Sequence, residues 1–388
     1  MNNESLSLPA WVYQNEEFLQ LEQDTIFKHG WHFVCHMSDL PDIGSYVTYK
    51  TGDESIVVVR NEANELNAFY NVCRHRASRL LDGDTGNCQR RIKCPYHSWT
   101  YDYSGNLLGA PNIKEYPELD KASHSLFPVE LEQYLGFVFI RLKGDGESIA
   151  QLMAPVHEEF SAYDTEKFQP YGENYEVSYP ANWKAAVDNF LDGIHVRFAH
   201  PGLNNLIGSE YTTEVKGNVY RAAGPINYKA DVNSVVKRYS EVLPEVTHLP
   251  ENLRSMWIYY FIWPNTAFCI YPDKIEMCQY IPHGPDAYKL RFRAYAMPDT
   301  RTEMLEARAL ADEINRKTQL EDDELLLRIH EGMRTEPYSQ GLLGQQEVLL
   351  RGFVKEFREK VPVATLSKPP AAGEIAATNH EMRKLTCE

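Results

Sequence analysis

The chain has 388 residues, 43% of them apolar and 24% charged, which is enough for two domains around substantial cores. A formal net charge of −16 leaves no basic surface to follow a phosphate backbone and argues against a nucleic-acid partner. The chain does not start with a positively charged segment leading into an apolar one, and no run of about eighteen apolar residues occurs, so a cytoplasmic protein without membrane contact is expected.

Residues 15–29 place Phe18, Leu19, Ile26 and Phe27 at helical spacing, with Gly30 as a C-terminal stop, and predict a packing helix. From Gly44 the pattern changes to short runs rich in β-branched and aromatic residues, at 45–50, 55–60, 66–72 and 136–142. Broken by Gly, Asn and Asp, these runs predict a small antiparallel domain of strands and hairpins. His29, His32 and His36 straddle a glycine and a strand and are expected to be surface or packing residues.

Inside this β-rich stretch lie two matched pairs, Cys73-x-His75 and Cys94-x-x-His97. Each presents one thiolate and one imidazole from a tight turn, and two such turns facing each other form a four-ligand metal site. A structural zinc accepts that ligand set. So does a Rieske [2Fe–2S] centre, in which two cysteines hold one iron and two histidines the other. Zinc fingers usually pair like with like, whereas each hairpin here carries one of each, and this grouping favours the cluster. Cys35, Cys88, Cys269, Cys278 and Cys387 show no disulfide-like spacing, as expected of a reducing compartment.

After about residue 145 helical segments return, and residues 182–203 carry the second constellation. In a helix Asp192 and His195 are neighbours on one face, while His200 would point elsewhere. Pro201 disfavours helix at the residue before it, so a helix ending near Ala199 frees His200 to turn back towards His195. Two histidines and a carboxylate make the facial triad of non-haem iron(II) oxygenases. Asp192 is one candidate for the carboxylate; the acid-rich run Glu321–Glu324 supplies others, although its plainer reading is a solvated helix start. Spacing leaves the choice open. Trp257, Tyr259, Phe261 and Trp263 alternate along a strand, as core packing or as an aromatic pocket wall, and Asn189 and Phe190 are pocket candidates by proximity.

Read together, CRHR…CPYHSWTYDYSG and, about a hundred residues later, NWK…DNFLDGIHVRFAHPGL closely resemble the large (α) subunit of Rieske non-haem iron oxygenases, the aromatic-ring-hydroxylating dioxygenase family. The resemblance spans nearly the whole chain. It implies an α+β fold: a small antiparallel β Rieske domain at 41–145 and a helix-grip-type catalytic domain at 146–362, in which helices cover an antiparallel sheet. These are preceded by a helical segment, 1–40, packing on the catalytic domain, and followed by a tail, 363–388. Cys73, His75, Cys94 and His97 match the cluster ligands, His195 and His200 the iron histidines, and Asp322 the third ligand, with Asp323 as fallback. Asp192 matches the acid that carries electrons between subunits of a head-to-tail homotrimer, beside His97 of the next subunit.

The resemblance further implies electrons from an NAD(P)H-dependent reductase, with or without a ferredoxin. The implied reaction is mono- or dihydroxylation of a small aromatic compound such as an aromatic acid. The alternative is N-demethylation or hydroxylation of a quaternary amine related to betaine or carnitine. A simple electron-transfer Rieske protein or a zinc module is the remaining contrast.

Overall fold

The computed structural model describes residues 5–144, 146–229 and 234–386, so Cys387 lies outside the described residues. The chain divides into two units, the smaller made of Lys28–Gln151 with Thr165–Pro170 and the larger of the rest. Among the described residues no helix is long and apolar enough to cross a membrane.

The smaller unit contains β1 (His32–His36), β2 (Ser45–Thr51), β3 (Glu54–Arg60), β4 (Leu66–Tyr70), β5 (Thr85–Asn87), β6 (Ile92–Lys93), β7 (Thr100–Tyr101), β8 (Leu107–Gly109), β9 (Glu130–Tyr134), β10 (Phe137–Arg141) and β11 (Gln169–Pro170). Pairings among the first ten are antiparallel, in the orders β4-β3-β2-β5, β1-β10-β9 and β6-β7-β8. Alternating burial along most of β2 marks a strand with one wet face, whereas β3 is buried on both faces from Ile56 onward. The unit starts earlier than the expected boundary at residue 41, because β1 pairs with β10 and every residue of both strands is buried. His32 and His36 are packing residues: His32 Nδ1 meets the Tyr49 hydroxyl at 3.1 Å and His36 Nδ1 meets Ser38 Oγ at 2.7 Å.

The larger unit begins with α1 (Glu16–Glu22), N-capped by Asn15, whose side-chain oxygen accepts from the Phe18 N–H at 2.8 Å. The short helix α2 (Ile149–Met153) spans the chain division at Gln151, and the larger unit continues with α3 (His157–Ser161), β12 (Tyr175–Tyr179), β13 (Thr212–Lys216), β14 (Val219–Pro225), β15 (Met256–Ile262), β16 (Thr266–Ile270), β17 (Lys274–Pro282) and β18 (Tyr288–Ala296). These strands form one antiparallel sheet in the order β12-β18-β17-β16-β15-β14-β13. The helices that go with it are α4 (Trp183–Leu191), α5 (Val196–Ala199), α6 (Pro201–Ile207), α7 (Ser234–Val242), α8 (Thr302–Gly332), α9 (Val348–Lys360) and α10 (Ile375–Thr386). Helix α4 packs on β17 and α8, and its buried residues Trp183, Ala186, Val187 and Leu191 join a core with Phe353 and Phe357 of α9. This is the expected sheet covered by helices.

Residues 363–388 are not a featureless tail: they carry α10, whose first turn is held by Glu17 of α1, the carboxylate accepting from the Gly373 and Ile375 N–H groups at 2.9 Å. The buried face of α10 is short and mixed, with Ile375 and Met382 on the main core and Asn379 between them, which leaves little apolar periodicity to read. Asn379, also buried, accepts from the Val363 N–H at 3.2 Å.

Helix α4 buries Asp188 against Tyr13, whose hydroxyl donates to it at 2.5 Å. Burial, only partly offset by Tyr13 and Lys184, lifts the Asp188 carboxyl to about 7 from an ordinary 3.8. Between those values the folded chain holds a proton that the unfolded chain has released, so this group makes stability fall as pH rises through the window. Asp188→Asn mimics the protonated acid. Its stability gain over the natural chain is expected to grow from about pH 4 to pH 7, reaching at most ~4 kcal/mol, and to stay constant above. Melting curves across pH test this, and a gain that shrinks with rising pH would overturn it.

Candidate active site

Two loops of the smaller unit bring the first donor set together. Cys73 and His75 follow β4, and Cys94 and His97 sit in the β6–β7 hairpin. Both loops share one backbone design. The Cys73 N–H donates to the Ser78 carbonyl and the Cys94 N–H to the Trp99 carbonyl, each at 2.8 Å. Each cysteine carbonyl accepts from the residue four positions on, Ala77 at 3.1 Å and Ser98 at 3.0 Å. Those two residues adopt φ of +55° and +59°, a left-handed conformation that costs roughly 1–2 kcal/mol without glycine, so the surrounding loop imposes it.

The cysteines lie on the inner side of the site, 3% and 2% exposed, and the half-buried histidine rings approach to 4.7 Å between centroids. His75 stacks on Trp99, and the Tyr101 hydroxyl lies 3.4 Å from Cys73 Sγ. At Cys94, burial is outweighed by the N–H groups of His97 and Tyr96, which bring its thiol below the ordinary value. Nδ1 of His75 and Nδ1 of His97 are buried without a hydrogen-bond partner. Such orphaned atoms cost about 1–3 kcal/mol each unless something else takes the lone pair. A metal centre bound by two sulfurs on the inner side and two imidazole nitrogens on the outer side fits these residues.

The second donor set lies in the larger unit. Helix α4 does not run to Ala199 as the sequence suggested; it ends at Asp192, whose ψ of 95° leaves the helix and whose Oδ1 caps the turn by accepting from the Ile194 N–H at 2.8 Å. Gly193 follows, where a Cβ would come within 3.0 Å of Thr213 and 3.1 Å of Tyr211. The short α5 then ends at His200, and Pro201 opens α6 from its first position, where a proline needs no N–H partner.

This double break brings Nε2 of His195 to 3.1 Å from Nε2 of His200. Oδ1 of Asp322 lies 3.4 Å from the first nitrogen and 3.0 Å from the second. One ligand atom from each of His195, His200 and Asp322 lies within 4.8 Å of the others, a grouping that could hold a metal ion. Burial alone would raise the Asp322 carboxyl, but His195, His200 and Asn189 together hold it at about 2. Asn189 donates to Asp322 Oδ1 at 2.8 Å, and Glu321 Oε2 lies 2.9 Å from His200 Nδ1, fixing that ring from behind.

Several expectations change here. The run Glu321–Glu324 does not open a helix but lies well inside the 31-residue α8, so its acids are not explained by a helix start. Asp323 is not part of the converging group; it lines the same cavity and accepts from Gln319 at 2.7 Å. The contact foreseen between the Asp192 carboxylate and His195 is long, 3.7 Å, because the Asp192 backbone carbonyl takes the ring nitrogen at 2.5 Å.

The triad opens into a cavity of about 740 Å³ lined by Asn189, Phe190 and Tyr259 but not by Trp257. Trp257 is fully buried behind it, donating to the Tyr239 hydroxyl at 3.0 Å and packing on Tyr271. Phe261 and Trp263 belong to the main core. The sequence reading missed Tyr211, Tyr280, Cys269, Cys278 and Glu276 as lining residues, and Glu321 as the partner of His200. Only Glu321 left a signal, being adjacent to Asp322 in the acidic run.

A thiolate–imidazole donor set in one unit and a two-histidine, one-carboxylate set in the other define a protein built around two metal centres. Residues 30–127 match the Rieske [2Fe-2S] domain, and residues 168–362 match the catalytic domain of the ring hydroxylating alpha subunit. The chain belongs to this family, the α subunits of Rieske oxygenases.

The oxygenase subunit of carnitine monooxygenase from Escherichia coli K12 is 36% identical over 205 residues, 53% of this chain and 54% of that protein. That of glycine betaine monooxygenase from Chromohalobacter salexigens is 35% identical over 210 residues, 54% and 46% of the two chains. The chain thus spans about half the length of these relatives. Putrescine 2-hydroxylase from Ralstonia nicotianae is 29% identical over 339 residues, 84% and 86% of the two chains. The fold is shared with a quaternary ammonium Rieske monooxygenase solved with L-carnitine, at a TM-score of 0.77 and 24% identity over 92% of this chain and 97% of that one. Naphthalene 1,2-dioxygenase from Rhodococcus sp. also shares it, at 0.74 and 21% over 94% and 95%.

Proposed function

We propose that this chain is the terminal oxygenase component of a system in which a separate NAD(P)H-dependent reductase, with or without a ferredoxin, delivers single electrons and a small cationic amine is oxidised with O2. The observation that carries the reading is the convergence of His195, His200 and Asp322 at the wall of an aromatic-lined cavity. In it, Cys73, His75, Cys94 and His97 hold a [2Fe–2S] cluster, and His195, His200 and Asp322 hold a mononuclear iron(II). The cluster supplies electron transfer and the iron supplies oxygen activation when bound.

The protein's own part is positional. Asn189 and Glu321 fix Asp322 and His200, while Phe190 and the surrounding tyrosines exclude water from the reacting end of the cavity. Asp192 is the electron path between subunits of a head-to-tail homotrimer, meeting a cluster histidine of a neighbouring subunit.

The expected aromatic-acid substrate gives way to its alternative. The sequence relatives named above are oxygenase subunits of carnitine and glycine betaine monooxygenases and a putrescine 2-hydroxylase, and each of these compounds carries a cationic nitrogen. Tyr175, Tyr179, Tyr211, Tyr259 and Tyr280 line the cavity, and aromatic rings attract a cation. A screen of methylated and primary amines against aromatic acids, with a matched reductase, is expected to show amine-dependent oxygen uptake. Uptake confined to aromatic acids would refute the amine assignment.

A further inference from the structure

Away from the triad, the cavity wall carries a second built cluster. Lys274, 1% exposed, lies between two carboxylates, 2.7 Å from Glu276 Oε1 and in direct contact with Asp312. Glu276 is buried too and accepts from the Tyr271 hydroxyl at 2.9 Å and from Asn315 Nδ2 at 3.1 Å. Asp312 accepts from the Tyr171 hydroxyl at 2.7 Å. Tyr171, Tyr271, Glu276, Asp312 and Asn315 all line the cavity, whereas Lys274 stands behind them. Two carboxylates therefore share one ammonium and leave one negative charge over, facing the cavity. That charge stands at the cavity wall, where a ligand cation would balance it.

The cluster has a fixed separation from the triad. Asp312, Asn315, Gln319 and Asp322 lie on one face of α8 and all line the cavity. At 1.5 Å per residue, Asp312 and Asp322 are about 15 Å apart along the helix axis. Arg316, the single Lys or Arg among the described lining residues, is exposed. Among the described lining residues the wall around the cluster thus presents no other Lys or Arg to pair with a carboxylate.

We propose that the Glu276–Lys274–Asp312 cluster binds a second cationic nitrogen of the substrate, which is an extended aliphatic di- or polyamine with no carboxylate at the end remote from the triad. This rests on the amine-oxygenase reading above and narrows it. An ammonium at the cluster gains charge-assisted hydrogen bonds and would leave the other end of the chain at the triad.

The test uses a matched pair, 1,6-diaminohexane and 6-aminohexanoate, which differ in the charge of one end. Anaerobic calorimetry on the iron-loaded protein is expected to show the diamine binding about 10- to 100-fold more tightly. Asp312→Asn, half-exposed and checked by its melting curve, is expected to narrow that gap about tenfold, while Arg316→Gln leaves it unchanged. Equal or tighter binding of the amino acid overturns the proposal, and so does a loss of its binding in Arg316→Gln. If Asp312→Asn does not fold, the matched pair on the natural chain decides alone. Oxidation of carnitine or glycine betaine with no binding of the diamine would sink this proposal and keep the amine reading; no amine-dependent oxygen uptake at all would remove both.

Discussion

Asp322→Ala is expected to lower the iron content from about three to about two atoms per chain, to leave the visible spectrum of the cluster intact, and to reduce substrate-dependent oxygen uptake to background. The expectation rests on geometry. Oδ1 of Asp322 lies within 3.4 Å of both histidine nitrogens, and without it the converging donor group keeps two imidazole nitrogens and loses its carboxylate. Asp323→Ala is the control. It is not one of the converging donors and accepts from Gln319, so that variant is expected to keep its iron. Asn189→Ala and Glu321→Gln touch only the supports of the ligands, and are expected to weaken iron binding about 10- to 100-fold without touching the cluster. Retention of all iron and full turnover in Asp322→Ala would show the third ligand to be elsewhere.

Asp192→Asn is expected to keep both metal centres yet to slow turnover about 100-fold. One oxygen of Asp192 caps the turn at Ile194, and its own His195 is served by the backbone carbonyl. The carboxylate is therefore not needed to orient the ring inside its own chain. A quarter of its side-chain surface stays exposed, which leaves it available to a histidine from outside. In the variant, a chemically reduced cluster is expected to stay reduced when substrate and oxygen are added, whereas in the natural protein it reoxidises. Rapid reoxidation in the variant, or full activity of an isolated monomer, would refute the electron path.

The two donor sets differed in how far they could be read from the chain. Cys73, His75, Cys94 and His97 were legible because all four sit in adjacent loops, where spacing reports geometry directly. His195 and His200 were legible through Pro201, though the helix break came at Asp192, where a side-chain cap and a close glycine decide the turn. The carboxylate could not be chosen by spacing, since Asn189 and Asp322 stand 133 residues apart and meet only through the packing of α4 on α8. The aromatic strand 257–263 shows the same limit. Alternation put Trp257 and Tyr259 on one face, but only the tertiary fold decides that Tyr259 reaches the cavity while Trp257 is sealed behind it. The docking of α10 escaped because it depends on Glu17 at the other end of the chain.

The contrast between a local and a distant donor set bears on the order in which the holoprotein matures. The four cluster donors lie in two loops of one unit, between residues 73 and 97, so the β-rich unit can be loaded as soon as it has folded. The triad exists only after β17, α4 and α8 have packed, because closing so long a loop before the sheet forms would be entropically costly. Iron would then enter last, through a finished cavity, and should leave the same way: a chelator strips it from the native protein and re-addition restores it, with no unfolding in between.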